Sequence, residues 1–210
     1  MTQDDFAERL KDIYRQRDDE LLQRFQRSLP INDAMVDRWE RAQRLGFAEG
    51  VSIYGSSLVY GDVWAGAQTW IGPMTLLDGS GGALRIGSHC SISAGTYVYT
   101  HDTALWALSG GREGRRVGPV SIGNDVYLGS HCLVLPNVSI GDRVLVAANS
   151  MVNRDVAAGT IVAGTPARPI GRVELDAEGK VRLIYDRQAE TGGLPASIRF
   201  GANGAEESQQ

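Results

Sequence analysis

The chain of 210 residues is short of the residues that mark disulfide, metal or nucleic-acid proteins: it has two cysteines, three histidines, and 21 Lys+Arg against 25 Asp+Glu, a formal charge of −4. Two cysteines are too few for a disulfide framework. Without a basic excess there is no electrostatic footprint for nucleic acid, which is therefore not an expected partner. No stretch approaches the roughly 20 apolar residues of a membrane span. The opening Met1-Thr2-Gln3-Asp4-Asp5 is polar and acidic, with neither the positive nor the apolar region of a secretory leader, so a cytoplasmic protein is expected. Hydrophobic residues make up 42% of the chain, enough for a sizeable core.

What the chain does have is a beat of six. Apolar residues recur at Ile53, Val59, Ala65, Ile71 and Leu77, then at Ile86, Ile92 and Val98, then at Ile122, Leu128, Val134, Ile140, Val146, Val152 and Ala158. Small or β-branched residues mostly stand four places later, at Val63, Thr69, Thr75, Cys90, Thr96, Val126, Cys132, Val138, Val144, Ser150, Val156 and Val162. Neither a helical stripe nor a simple alternating strand has this period. Six residues make one short strand and a corner with the first and fifth positions turned inward, and three such units close one turn of a parallel β-helix. At three hexads a turn the beat predicts about five coils, each stabilised by the coils above and below it. Cys90 and Cys132 both take the inward fifth position, where a small apolar side chain fits, so we read them as packing residues.

Residues 1–50 predict a separate helical segment. Phe6, Leu10, Ile13, Tyr14, Leu21, Leu22 and Phe25 fall near helical spacing. Pro30 marks a break, Asn32 and Asp33 are candidate N-caps of a second helix running to Leu45, and Gly46 is its stop. Residues 51–171 carry the repeats. Residues 172–210 predict a hairpin, with Val173 and Leu175 alternating before Asp176–Gly179 and Val181 and Leu183 after it, followed by a polar, disordered tail from Gly201 to Gln210.

Two interruptions of the beat are where function is to be sought. The step from Leu77 to Ile86 is nine residues, which predicts a small bulge around Asp78–Gly82. The step from Val98 to Ile122 is twenty-four, a multiple of six, so a loop over residues 103–119 leaves the prism and returns in register. His101 stands at the root of that loop. Asp102 would point inward if the hexad continued, at a cost of several kcal/mol for an unpaired buried carboxylate, so the chain is expected to be departing already. An imidazole at such an edge suits general-base work near neutral pH.

Tyr99-Thr100-His101-Asp102-Thr103, Trp106-Ala107-Leu108-Ser109-Gly110-Gly111, the run from Pro119 to Ser130, Val146-Ala147-Ala148-Asn149-Ser150 and Ala163-Gly164-Thr165-Pro166-Ala167-Arg168 resemble the sugar O-acetyltransferase branch of the hexapeptide-repeat acyltransferases. That resemblance implies an all-β, left-handed parallel β-helix, a break with the usual right-handed crossover. It also implies a homotrimer with acetyl-CoA as donor in the grooves between prisms, a carbohydrate or nucleotide-sugar acceptor, and no metal. By position it makes His101 the catalytic base and places CoA contacts at Ser130, Ala148, Asn153, Arg154 and Arg168. Arginines offer charge-assisted donors to the phosphates of CoA. The acceptor-side candidates are not carried over from the family: Trp106, whose aromatic face can stack on sugar C–H surfaces, and Tyr127, which stands where many relatives carry Trp. Arg112, Arg115 and Arg116, on the same loop, could meet an acidic acceptor.

Three other readings stand beside this one. A sugar amine in place of the hydroxyl would make the chain an N-acetyltransferase. A noncatalytic β-helix scaffold needs no site at all. A metal-dependent carbonic anhydrase of this fold needs three convergent histidines, whereas His89, His101 and His131 fall on three different faces and cannot meet within one subunit.

Overall fold

In the computed structural model, which describes residues 3–186, the hexads form a three-faced stack of short parallel strands. The first face runs Ser52–Ile53, Trp70–Ile71, Ser91–Ile92, Tyr127–Leu128, Leu145–Val146 and Thr160–Ala163, each parallel to the next. The second is built from the first halves of Leu58–Ala65 and Leu76–Ile86, then Tyr97–Tyr99, Leu133–Val134 and Met151–Val152. The third takes the far ends of the same two long strands, then Val120–Ile122, Ser139–Ile140 and a single bridge from Ile140 to Val156.

Apolar residues at the hexad beat stack into a dry column: Ile53, Ile71, Ile92, Leu128 and Val146 have no exposed surface. Each such side chain contributes about 1.5–3 kcal/mol by leaving water. The inward fifth positions form a second column, and its hydroxyls tie the coils together: Thr69 Oγ1 donates to the carbonyl of Gly87 at 2.8 Å, and Thr96 Oγ1 to that of Gly129 at 3.0 Å. Cys90 and Cys132 sit in this column as free, buried thiols whose pKa burial pushes up, so they remain protonated and packed.

Immediately before the fifth position the backbone turns through the left-handed region, with glycine at Gly95 but mostly without it. Gln68, Met74, His89, Asp125, His131, Asn137, Arg143 and Asn149 all have φ between 53 and 59° or, at Asn137, 63°. This costs roughly 1–2 kcal/mol per residue, offset by the strand stacking on either side. Two of the three histidines are therefore corner residues.

The last coil departs from the beat. Val156, expected inward as the fifth residue of its hexad, is buried, but it is Val156 that bridges to Ile140, the place the beat gives to Ala158, which is exposed. The chain closes this turn two residues early and then pairs its last first-face strand with Arg168–Leu175, which runs antiparallel and forms a hairpin with Val181–Tyr185. The hairpin turn is held by Asp176 Oδ1, which accepts from Lys180 N at 2.8 Å. The tail expected at Gly201–Gln210 lies outside the described residues.

At the other end, helix α1 (Gln3–Phe25) is followed by α2 (Ile31–Ala34) and α3 (Arg38–Arg44). The second helix expected from residue 32 to Leu45 is thus broken in two. Asp37, rather than Asn32 or Asp33, caps α3, accepting from Trp39 N and Glu40 N at 2.9 Å. Asp33 is instead buried and accepts from Ser56 N at 2.7 Å, while Arg41 donates to the carbonyls of Tyr54 and Ser57. These bonds seat α2 and α3 on the first coil. Among the described residues no helix is long and apolar enough to cross a membrane.

Candidate active site

The two interruptions meet at one corner. Leu77 and Val98 are neighbours on the second face, so the bulge after Leu77 lies directly against the root of the loop after Val98. The chain leaves the prism after Thr100, which is fully buried. Gly118 N closes the gap by donating to the Thr100 carbonyl at 2.9 Å. Val120 then fills the inward slot that a continuing hexad would have given Asp102. The departing and returning chains pair antiparallel, His101 with Val117 and Asp102 with Arg116. Asp102 forms a bidentate ion pair with Arg116, at 2.6 Å to Nη2 and 2.9 Å to Nε. Hydrogen bonds from Arg116, and secondarily from Ala104 N, hold the Asp102 carboxyl below the usual carboxylate range. Between the two arms lies helix α4 (Ala104–Leu108).

His101 Nδ1 lies 2.9 Å from Asp78 Oδ2 and 3.3 Å from Ser80 Oγ. A carboxylate can only accept, so the single ring proton belongs on Nδ1 and points at Asp78, the shorter and charged partner. The lone pair is left on Nε2, which has no protein partner among the described residues. Asp78 itself is 2% exposed, and its other oxygen accepts from Ser80 N at 2.8 Å. Both oxygens of this buried carboxylate are therefore satisfied, as burial of a charge demands. The close approach depends on Gly81, where a Cβ would stand 2.4 Å from the Thr100 carbonyl oxygen and 2.5 Å from His101 Cβ. An imidazole 24% exposed, oriented by a buried carboxylate and open at Nε2, is equipped to take a proton from a bound hydroxyl or amine.

Asp78 is the candidate site residue that sequence reasoning missed, although it singled out the bulge that holds it. The signal was available in the spacing: one coil plus the three extra residues carries Leu77 onto Val98, and hence the bulge onto His101.

The other candidates separate into groups. Asn153 and Arg154 are exposed at the same second-to-third-face edge as His101, below it in the stack. Ser130 and exposed Ala148 stand at the opposite edge of the second face, in successive coils, with Asn149 N donating to the Ser130 carbonyl at 2.9 Å. Arg168 is exposed at the start of the antiparallel strand, its Nη1 on its neighbour Ala167's carbonyl. Tyr127 lies on the first face, away from the His101 corner, whereas Trp106 is 55% exposed on α4 within the loop. His89 and His131 occupy the other two corners, and the His131 ring packs where a Cβ of Gly95 would be.

The bacterial transferase hexapeptide family (six repeats) matches residues 119–154. A chloramphenicol acetyltransferase of Morganella morganii is 34% identical over 113 residues, which are 45% of this chain and 54% of the relative. The galactoside O-acetyltransferase of Escherichia coli (strain K12) is 40% identical over 55 residues, 26% of this chain and 27% of the relative. Among solved structures, a hexapeptide-repeat acetyltransferase of Vibrio cholerae O1 biovar eltor, complexed with acetyl-CoA, superposes with a TM-score of 0.56 at 27% identity, covering 77% of this chain and 87% of that one. The matches span about half the length of these curated relatives or less. Residues 119–154 thus carry the repeat of that family, and the chain is similar over part or most of its length to acetyltransferases built on it.

Proposed function

We propose that the protein is an acetyltransferase that moves the acetyl group of acetyl-CoA to a hydroxyl of a carbohydrate, with His101 as general base and Asp78 as its orienting partner. The observation that carries this reading is the Asp78–His101 pair at the meeting of the two interruptions. The acceptor oxygen gives its proton to Nε2 as it attacks the thioester carbonyl; the new C–O bond forms, the C–S bond breaks, and the proton passes on to the departing CoA thiolate. No covalent acyl-enzyme is needed, and the buried, protonated cysteines are unsuited to form one. The acetyl-CoA-bound Vibrio relative and the galactoside acetyltransferase support donor and acceptor class. The test is incubation with acetyl-CoA and a panel of sugars and nucleotide sugars, following free thiol and product mass; absence of thiol release and of acetylated product across the panel overturns the carbohydrate assignment.

The separation of candidates favours a site shared between subunits of a left-handed β-helical homotrimer. His101 and Arg154 sit at one edge of the second face, Ser130 and Ala148 at the other, so a donor lying along one edge of the prism meets only one set within a single subunit. Between those edges the second face carries Leu58 and Tyr97, 47% and 43% exposed, beside half-buried Leu76, Leu133 and Met151. An apolar strip of this kind marks an interface, and a closed ring would bring the two edges together. Light scattering is expected to give three subunits, and a monodisperse monomer rules out the shared site.

Arg154 and Arg168 are assigned to the CoA phosphates. Arg154→Ala and Arg168→Ala are each expected to weaken CoA binding by ~1–3 kcal/mol, more at low salt. Unchanged calorimetric affinity in both variants removes the assignment and leaves the fold untouched.

A further inference from the structure

The loop returns a second charged group to the His101 corner. Arg115 Nη2 donates to the Ser80 carbonyl at 3.1 Å. Ser80 is the same residue whose N–H holds Asp78 and whose hydroxyl lies 3.3 Å from His101 Nδ1. One residue of the bulge is thus in contact with the carboxylate, the imidazole and the guanidinium. The corner's two carboxylates are already engaged: Asp78 by Ser80 N and His101, Asp102 by Arg116 in a bidentate pair. No salt bridge joins Arg115 to any acid among the described residues, and its side chain is exposed. A guanidinium has five N–H donors in a planar fork, and a bond to one backbone carbonyl leaves most of them without a partner among the described residues, at the corner that holds His101.

Resting on the acyl-transfer reading, we infer that the acceptor is an anionic sugar, a ring bearing a carboxylate or a phosphate ester within reach of the acylated hydroxyl, and that Arg115 binds this charge. A neutral sugar offers the guanidinium only ordinary hydrogen bonds, whereas an anion receives charge-assisted, bidentate bonds of the kind the guanidinium geometry favours. The same contact orients the ring, fixing which hydroxyl meets His101. Arg116, consumed by Asp102, stiffens the arm that carries Arg115 and is not assigned to the acceptor.

The test compares three acceptors sharing one ring, namely glucose, glucuronate and glucose 1-phosphate, with acetyl-CoA as donor and thiol release as readout. The two anionic arms distinguish carboxylate from phosphate ester. The wild type is expected to favour at least one anionic sugar over glucose by about tenfold or more in kcat/KM, and Arg115→Ala to reduce that ratio by about tenfold to hundredfold, with Arg115→Lys recovering part of it. A wild-type ratio near one, or an Arg115→Ala loss equal on charged and neutral sugars, overturns the inference and makes Arg115 a staple of the loop, while acetyl transfer itself stands. Calorimetry of each sugar without acetyl-CoA separates the two failures. Arg115-dependent binding of an anionic sugar without turnover of any acceptor sinks the acyl-transfer reading but not the charge preference; no binding and no turnover sinks the charge preference as well.

Discussion

His101→Ala is expected to lower the rate of acetyl transfer by about 10²–10⁴, the contribution of a well-placed general base. Subunit assembly and CoA affinity should stay near wild type, because the imidazole stands on the edge of the prism and belongs to neither inward column. The alanine variant has one structural consequence: it leaves Asp78, 2% exposed, with Ser80 N as its remaining recorded partner, at a cost of about 1–3 kcal/mol for the unmet bond. His101→Asn separates the effects. Its Nδ2 occupies the place of the ring Nδ1 and can donate to Asp78, but it has no basic nitrogen where Nε2 was. Both variants are expected to lose the acid limb that a histidine base imposes on the pH–rate profile, while the asparagine variant unfolds at wild-type denaturant concentration. Either variant retaining most of the activity, with His89 and His131 intact, means that catalysis runs without this base.

The second large effect is expected at Asp78→Asn, which preserves shape and removes one acceptor. Ser80 N is a fixed donor, so the single amide oxygen of the asparagine is drawn to it and the NH₂ turns toward His101 Nδ1. Two donors cannot face each other, and the imidazole relieves the conflict by moving its proton to Nε2. The base then has no lone pair toward the acceptor. The same wrong-tautomer effect costs ~10⁴ in kcat when the aspartate of a Ser-His-Asp triad becomes asparagine; here a loss of about 10² or more in kcat is expected, with KM for acetyl-CoA unchanged. Nitrogen NMR of the labelled ring supplies the readout that a merely structural role would not move. The proton should lie on Nδ1 in the wild type and on Nε2 in the variant. A variant with the proton still on Nδ1 and full kcat makes Asp78 a packing partner only.

The hexad beat was legible because each inward residue makes the same contact in every coil, so the fold repeats in the sequence what it repeats in space. Ile71, Ile92 and Leu128 lie on one face because the nine- and twenty-four-residue steps add only to a corner. The early closure at Val156 was not legible: the beat expects Val156 and Ala158 both to point inward, and which of them closes the turn rests on which backbone bridges to Ile140. Likewise Asn32, Asp33 and Asp37 are all residues that cap helices, and Asp37 does so because Asp33 is drawn inward to Ser56.

By itself the sequence determined the repeat, the inward place of the cysteines and the exit of the chain at His101, since all three follow from local spacing and from the cost of burying a charge. Only the tertiary structure decided that Asp78 orients His101, that Arg115 returns to the same corner, and that His101 and Ser130 stand at opposite edges of one face. These are relations between coils, 21 or more residues apart in the chain, and stacking fixes them by bringing side chains of different coils onto one corner while their separation in sequence reveals nothing of the direction in which each one points.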